Sequence, residues 1–189
     1  MPTTSLFVEL IVTGVGAFGW VTLAILTVFG YQWIDLDRVL SLAGLLPVLA
    51  VALAVTYVLG IAVDRIADQM FAPFARRLCS RSFATREDYE RAKDIVYVES
   101  PLRDLVEYNQ SRLRICRGWV VNCAAGLISL NTFVWVQLPE STPRVKLAAT
   151  FSVLLLAVGA GALNAWYQLR AVAYQRLAKQ VGILEGRTT

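Results

Sequence analysis

The chain alternates between long apolar runs and charged segments. Four apolar runs cover about residues 6–30, 40–63, 118–138 and 147–167, and the shortest of them has 21 residues. A helix rises 1.5 Å per residue, so about 20 residues cross the ~30 Å hydrocarbon core of a bilayer. The only formal charge inside these runs is Glu9, near the start of the first. The pattern therefore predicts four transmembrane helices.

Three of these helices are predicted to continue beyond the bilayer. After the second run, apolar residues repeat at three- and four-residue spacing as far as Phe74. One unbroken helix is predicted from about 101 to 138. The fourth span is predicted to continue to about Val181, where Gly182 is expected to end it. The extended third and fourth spans should form an antiparallel pair.

A shorter helix is predicted within the charged segment that follows the second span. Thr85 and Asp88 stand three residues apart, which is a variant of the capping box at a helix start. The helix is expected to cover 86–98 and to pack on the extended pair.

The composition agrees with a membrane protein that has little soluble mass. The 189 residues are 57% hydrophobic and only 17% charged, whereas soluble domains have about 25% charged residues. The predicted fold is all-α, an integral membrane four-helix bundle with cytoplasmic helical extensions. It forms a single membrane domain over 1–189, with an extramembrane helical insert at 64–117 and a helical tail at 168–189.

The placement of basic residues predicts the topology. Of the 18 lysines and arginines, 11 lie between Arg65 and Arg117, and the two short connections contain only Arg38, Arg144 and Lys146. By the positive-inside rule, the insert and the tail are cytoplasmic, and four spans then place the N-terminus there too. The expected location is the inner (plasma) membrane. Nine acidic residues in 64–117 balance the basic ones, which disfavours a nucleic-acid partner.

The sequence offers little catalytic or metal chemistry. It has no histidine, and its three cysteines form no C-x-x-C motif. No serine-nucleophile motif, P-loop or dinucleotide-binding turn is found. We therefore expect a non-enzymatic protein without cofactor or metal. Asp64 and Asp68 are the one candidate acid pair for a cation, proton or intramembrane catalytic site. The favoured interpretation is that these acids lie at a helix end and pair there with Arg65, Arg112 or Arg114.

Polar residues inside the spans either line an aqueous path or hydrogen-bond between helices. The candidates are Glu9, Asn122, Ser129, Asn131 and Asn164. Asn131 points nearly opposite to Asn122 and Ser129 on the third span. This arrangement suggests that one polar face packs within the protomer and that the other meets a second copy.

Two further groups of residues are expected at helix contacts and at the inner membrane surface. Glycines allow close approach of helices in lipid, and the predicted contact positions are Gly14, Gly16, Gly19, Gly126, Gly159 and Gly161. Arginines near the inner ends of the spans form a predicted basic collar, which either anchors anionic lipid or binds a phosphate-bearing ligand or partner. The collar comprises Arg65, Arg76, Arg77, Arg112, Arg114, Arg117 and Arg170.

Two stretches at the inner ends of spans carry a resemblance at the level of architecture. They are Leu59-Gly60-Ile61-Ala62-Val63-Asp64-Arg65 and Ser111-Arg112-Leu113-Arg114-Ile115-Cys116-Arg117-Gly118. With four spans and a basic insert of about 50 residues, the chain resembles small four-helix bacterial membrane proteins that accompany phage-defence systems, such as effectors attached to nucleotide-signalling modules and the membrane subunit of the Kiwa system. The resemblance implies homo-oligomerisation and either membrane disruption or membrane-anchored sensing.

The leading functional hypothesis is a homo-oligomeric defence effector or membrane-sensing subunit. It would exchange a signal with a cytoplasmic protein partner on residues 65–117. The alternative is a small channel or transporter acting alone, and an intramembrane enzyme using Asp64 and Asp68 is a third, less favoured hypothesis.

Overall fold

Five α-helices account for almost all of the residues that the structure describes. The computed structural model describes residues 2–32, 42–83, 85–98 and 100–185, and no strand occurs among them. The helices are α1 (Pro2–Phe29), α2 (Leu42–Cys79), α3 (Arg86–Val98), α4 (Ser100–Gln137) and α5 (Arg144–Glu185). The all-α prediction is confirmed. Arg38, the start of the second predicted span at 40–41 and residues 186–189 of the predicted tail lie outside the described residues.

Four of the described helices are long and apolar enough to cross a membrane. The qualifying segments are Leu6–Phe29, Leu45–Cys79, Tyr108–Gln137 and Arg144–Lys179. Large apolar side chains on them face outward, with Leu46 74% and Ile128 69% exposed. Few side chains in any of the four segments are buried, and α5 buries the smallest share. The apolar residues therefore cover the outside of the bundle, which suits a lipid surrounding and a multi-pass membrane protein.

The continuations beyond the apolar runs are single helices. α2 passes through both Pro47 and Pro73 without a break and has 38 residues. α4 also has 38 residues and spans Ser100–Gln137, which confirms the predicted unbroken helix. Each of these helices is about 57 Å long at 1.5 Å per residue, well beyond the ~30 Å core.

Two glycines show what does and does not end a helix here. Gly30 follows α1 in the left-handed conformation (φ 75°) and donates its N–H to Leu26 O at 3.0 Å. The prediction that Gly182 ends the last helix is wrong, because α5 continues to Glu185. A helical glycine costs only about 1 kcal/mol relative to alanine, which is too little to end a helix of 42 residues.

The start of α3 agrees with the predicted capping box. Asp88 N–H donates to Thr85 Oγ1 at 3.1 Å, and Thr85 N–H donates to Asp88 Oδ2 at 3.0 Å. α3 then packs on α5 and α4, as predicted. We call α3, together with 64–79 of α2, 100–117 of α4 and 166–185 of α5, the stem.

α4 is the central helix of the bundle. It packs most extensively against α5 and α1, and it also contacts α2 and α3. α1 in turn packs against α2. At the end of the bundle far from the stem, Gln137 Nε2 donates to Thr27 O of α1 at 2.7 Å. The described helices therefore form a bundle built around one shared helix.

Glycines allow the closest helix contacts in the spans. A Cβ at Gly14 of α1 would collide with the backbone oxygen of Thr56, and one at Gly60 of α2 would collide with that of Leu10. These two glycines face each other's helices, so the α1 and α2 backbones touch directly. Sequence reasoning selected Gly14 but missed Gly60.

The other predicted glycine contacts differ from one another. A Cβ at Gly16 would lie 2.6 Å from Asn122 Nδ2, and one at Gly159 would lie 3.1 Å from Cys123 Cβ. A Cβ at Gly126 would lie 3.7 Å from Leu155 Cδ1, which is an ordinary van der Waals distance. No described atom lies within 4 Å of a Cβ built at Gly19 or Gly161. Close contact at these two positions is therefore not found within one copy of the chain, because helical spacing alone does not tell which small residues face a neighbour.

The contact between α1 and α2 gives a direct test. We expect Gly60→Ala to lower the free energy of unfolding by about 1–3 kcal/mol, because the added methyl has only backbone to displace. Gly19→Ala is the matched control. It should be neutral or stabilise by up to about 1 kcal/mol, since alanine is the better helix former. Unfolding in mild detergent, followed by circular dichroism, measures both. Equal stability of the two variants would contradict a backbone contact at Gly60.

Candidate functional site

Arg117 joins α4 to α2 where the apolar spans give way to the stem. Its Nη2 donates to Asp64 Oδ1 at 2.8 Å, and its Nη1 donates to Asp68 Oδ1. The two aspartates are one helical turn apart on α2, so they lie on one face and a forked guanidinium can bond both. We call this three-residue contact the Arg117 bridge.

The Arg117 bridge resolves the question raised by the acid pair. The favoured interpretation, that the aspartates pair with an arginine near a helix end, is confirmed. The named partners Arg65, Arg112 and Arg114 are wrong, because the arginine is Arg117. Spacing along one helix cannot identify a partner on another helix, whose rotation and depth are set by tertiary packing.

A second ion pair joins α4 to α1 one turn away. Glu9 is only 6% exposed, and its Oε2 lies 3.5 Å from Arg114 Nη1. Glu9 is therefore held in the interface between α1 and α4. Arg114 and Arg117 lie three residues apart, so α4 uses neighbouring positions to hold α1 and α2.

Asn122 provides the polar contact between α1 and α4 within the spans. Its Nδ2 donates to Thr13 O at 2.7 Å, and its Oδ1 accepts from Trp20 Nε1 at 3.2 Å. Gly16 lies directly beneath the amide, and a Cβ at Gly118 would come within 2.5 Å of Thr13 Cγ2. The asparagine is 4% exposed. It acts as a hydrogen-bonded spacer between two closely packed helices.

The other predicted polar residues point elsewhere. Asn131 Nδ2 donates to Leu127 O at 2.8 Å and to Ser152 Oγ of α5 at 3.0 Å. Asn164 is exposed and accepts from Gln168 Nε2 at 3.3 Å, while Ser129 is half-buried. Asn122 bonds α1 and Asn131 bonds α5, so both asparagine faces of α4 have partners within one chain. That one of these faces also meets a second copy stays a prediction. These residues do not converge on one path through the bundle.

A packed hydrophobic core lies in the stem. Its buried members come from α2, α4 and α5, and they are Phe71, Leu78, Leu113, Trp166 and Tyr174. Phe71 meets the ring of Trp166 edge-on, with centroids 4.7 Å apart. Aromatic edge-to-face pairs add about 0.5–1.5 kcal/mol to their area burial. The stem is therefore held by a core of the kind found in soluble proteins.

α3 closes one side of this core through its own aromatic contacts. Tyr89 packs edge-on against Tyr174 at 5.6 Å and against Phe83 at 5.5 Å between centroids. Burial raises the pKa of Tyr89 above its ordinary value, and the nearby Tyr174 adds to this shift. The Tyr89 hydroxyl therefore keeps its proton at neutral pH and remains a hydrogen-bond donor.

A cavity of about 510 Å³ lies between α2, α3, α4 and α5. Phe71, Leu113 and Trp166 are among its apolar lining residues, and Tyr89 and Tyr174 line it on the side of α3. Arg76, Arg117 and Arg170 supply basic groups to the same cavity, and Asp68 and Glu90 supply acids. The cavity combines aromatic walls with arginines, which suits an amphipathic ligand.

Arg170 is fixed against the aromatic wall. Its Nε donates to Tyr174 Oη at 3.1 Å, and its guanidinium carbon lies 5.1 Å from the centre of that ring. Tyr174 Oη donates in turn to Ala75 O at 3.4 Å. This chain of contacts joins α5 to α2 beside the cavity.

The predicted basic collar divides into separate groups. Arg76, Arg117 and Arg170 line the cavity, whereas Arg114 pairs with Glu9. The Arg112 guanidinium lies over the ring of Tyr108 at 4.9 Å. The remaining two members, Arg65 and Arg77, are exposed.

Sequence reasoning missed the cavity. In the sequence, Phe71 falls within the apolar repeat that reaches Phe74 and Trp166 falls within the fourth apolar run, and no motif marks Tyr89 or Tyr174. Aromatic residues clustering just beyond the ends of the second and fourth spans were the available signal. Their convergence depends on the docking of α3, which is a contact between distant segments.

The chain matches no known protein family, no curated protein and no solved structure in the comparisons with known proteins. The candidate site therefore has to be interpreted from its own geometry.

The Arg117 bridge gives a second test. Arg117→Gln should lower the free energy of unfolding by about 1.5–3 kcal/mol, because it removes hydrogen bonds to charged groups and leaves the partly buried Asp64 without its cation. Arg117→Lys should lie between the wild type and Arg117→Gln, since one ammonium cannot bond both acids in fork geometry.

Arg112→Gln is the matched control on the same helix. Arg112 is exposed, and its contact with Tyr108 is worth about 0.5–1 kcal/mol. Unfolding in detergent compares the three variants at one pH and salt concentration. Similar losses from Arg117→Gln and Arg112→Gln would show that the bridge does not stabilise the bundle.

Proposed function

We propose that this protein is a non-enzymatic, homo-oligomeric subunit of the inner membrane that works as a defence effector or membrane sensor. It exchanges a signal with a cytoplasmic protein partner, which contacts the segment 65–117. The observation that carries this proposal is the continuity of α2, α4 and α5 from the apolar spans into the stem. A rigid helix transmits rotation or translation along its length, so a change in the spans reaches the stem directly.

The contacts at the junction support this role. The Arg117 bridge joins α2 to α4 at the base of the stem, and the aromatic core joins both to α5 just beyond it. The three helices must therefore move in concert there. A partner bound to the stem is in contact with groups whose positions depend on the packing of the spans.

Charge distribution supports a cytoplasmic stem. The segment from Arg65 to Arg117 contains 11 of the 18 basic residues. By the positive-inside rule, this segment stays on the cytoplasmic side, and both termini lie with it.

The outer surface of α5 is the proposed site of assembly. Its candidate span buries fewer side chains than any other described span. Val153 is 66% exposed and Leu156 is 59% exposed on this helix. A second copy packed against this surface would cover it.

The two alternative functions receive less support. The polar residues expected to line a channel face α1, α5 and the exterior, and not one shared path. Asp64 and Asp68 are both bonded to Arg117, so neither is positioned as an independent acid or base. Liposomes containing the purified protein should therefore remain tight to ions until a partner or stimulus acts.

Counting subunits in lipid nanodiscs by native mass spectrometry tests assembly. We expect more than one copy per disc, and a strictly monomeric protein would contradict the proposal. Val153→Trp should reduce assembly, because the bulky ring would prevent close packing on α5. Val51→Trp is its control on α2, where the valine is 64% exposed. Equal assembly of the two variants would exclude the α5 surface as the interface.

Fusion reporters test the topology. Green fluorescent protein attached after Thr189 should fluoresce, since it folds on the cytoplasmic side, and alkaline phosphatase at the same position should be inactive. The connection at 139–143 between α4 and α5 provides the internal control, because reporters inserted there should behave in the opposite way. An active phosphatase after Thr189 would reverse the proposed orientation.

A further inference from the structure

We propose that the cavity in the stem binds a phosphate ester carried on an apolar body. This inference goes beyond the proposed function, because it does not require the protein to assemble or to signal. The cavity volume of about 510 Å³ is in the range of small-molecule sites, which are about 300–1,000 Å³.

Two arginines without an acidic partner among the described residues favour an anion. Arg76, Arg117 and Arg170 line the cavity, and of these Arg117 is paired with Asp64 as well as with the lining Asp68. Arg76 is exposed and Arg170 bonds only a neutral hydroxyl through its Nε. These two arginines are therefore available to a ligand without breaking an ion pair.

The cationic groups of the cavity are guanidinium groups, which favour a phosphate ligand. Guanidinium groups present paired N–H donors that match two phosphate oxygens, and such charge-assisted contacts are among the strongest hydrogen bonds in proteins. Arg117 lines the same cavity, but its Nη atoms are bonded to the two aspartates of the Arg117 bridge and its Nε is buried. Arg76 and Arg170 are therefore the arginines that would meet the ligand. The Tyr89 hydroxyl, which keeps its proton, lines the same space.

The apolar part of the lining requires an apolar body on the ligand. Phe71, Leu113 and Trp166 are buried core residues that also line the cavity. Inorganic phosphate alone would leave this wall without a contact. An ester whose apolar part lies against these side chains gains burial of apolar surface in addition to the arginine contacts.

Because the cavity lies next to the ends of the apolar spans, such an ester has two sources. Asp68 lies one turn beyond the second apolar run, which ends at 63, and Trp166 lies at the end of the fourth, 147–167. The cavity thus begins where phospholipid headgroups lie and extends toward α3. The ester is either a lipid headgroup entering from the bilayer or a soluble phosphate ester entering from the stem side.

Occupancy would affect the stem as a whole. The lining residues come from α2, α3, α4 and α5, so one ligand contacts all four helices. A bound ester therefore stabilises the docking of α3 on the base of the stem.

Titration calorimetry of the purified full-length protein in neutral detergent tests the proposal. The probes are dihexanoyl phosphatidic acid, phenyl phosphate, inorganic phosphate and uncharged dihexanoylglycerol. At least one ester should bind saturably and about tenfold more tightly than inorganic phosphate or the uncharged lipid. Preference for the phosphatidic acid identifies a lipid source, and preference for phenyl phosphate identifies a soluble one; both support the proposal.

Two adjacent arginines provide matched variants. Arg76→Gln should weaken ester binding about tenfold or more, the loss expected for one charge-assisted contact. Arg77→Gln removes the same charge from an exposed residue outside the cavity lining, and it should change binding less than about twofold. Because both side chains are exposed, neither change should impair folding, and circular dichroism checks this.

Three results would overturn the proposal. The first is equal weakening by Arg76→Gln and Arg77→Gln, which would indicate general attraction to a basic surface. The second is binding of dihexanoylglycerol as tight as that of the esters, which would indicate a purely apolar site. The third is the absence of saturable binding by either ester.

Discussion

The architecture depends on the Arg117 bridge, because it fixes α2 against α4 at the level where the surroundings of the chain change. On one side of it, lipid offers helices no hydrophobic reason to associate. On the other side, water drives apolar side chains together. A guanidinium bonded to two carboxylates joins the helices in either surrounding, because the carboxylates compensate its charge and its N–H groups point at their oxygens. α4, which carries the arginine, also packs against α1 and α5. The position of each of the other three spans is therefore set by its contact with α4.

The two halves of the molecule use different means of packing. Within the spans, contacts rely on glycines and on asparagine amides, as at Gly14, Gly60 and Asn122. Such interhelical hydrogen bonds contribute about 0.6–2 kcal/mol each in lipid. The stem instead buries Phe71, Trp166 and neighbouring large side chains. The same α2, α4 and α5 take part in both arrangements, and the cavity lies at the transition between them.

Sequence patterning predicted the helices well because span length, apolar periodicity and capping are local properties. The unbroken α4 and the start of α3 at Thr85 follow from such signals. The end of α5 did not, since a single glycine at 182 is too weak a signal against a strong helical context. Partner identities were the least predictable. Arg117 in place of Arg65, and Asn131 facing α5, depend on how each helix is rotated about its axis. No periodicity in one segment encodes that rotation relative to another.

The spacing of the two carboxylates has a mechanical consequence. Asp64 and Asp68 repeat almost one helical turn apart, about 6 Å along the α2 axis. If α2 slides by one turn, one carboxylate takes the place of the other and the guanidinium retains a partner. If α2 instead turns about its axis, both carboxylates leave together. A one-turn slide of α2 would therefore break one ion pair of the bridge, whereas a rotation would break both, so the bridge opposes twist between α2 and α4 more strongly than axial sliding.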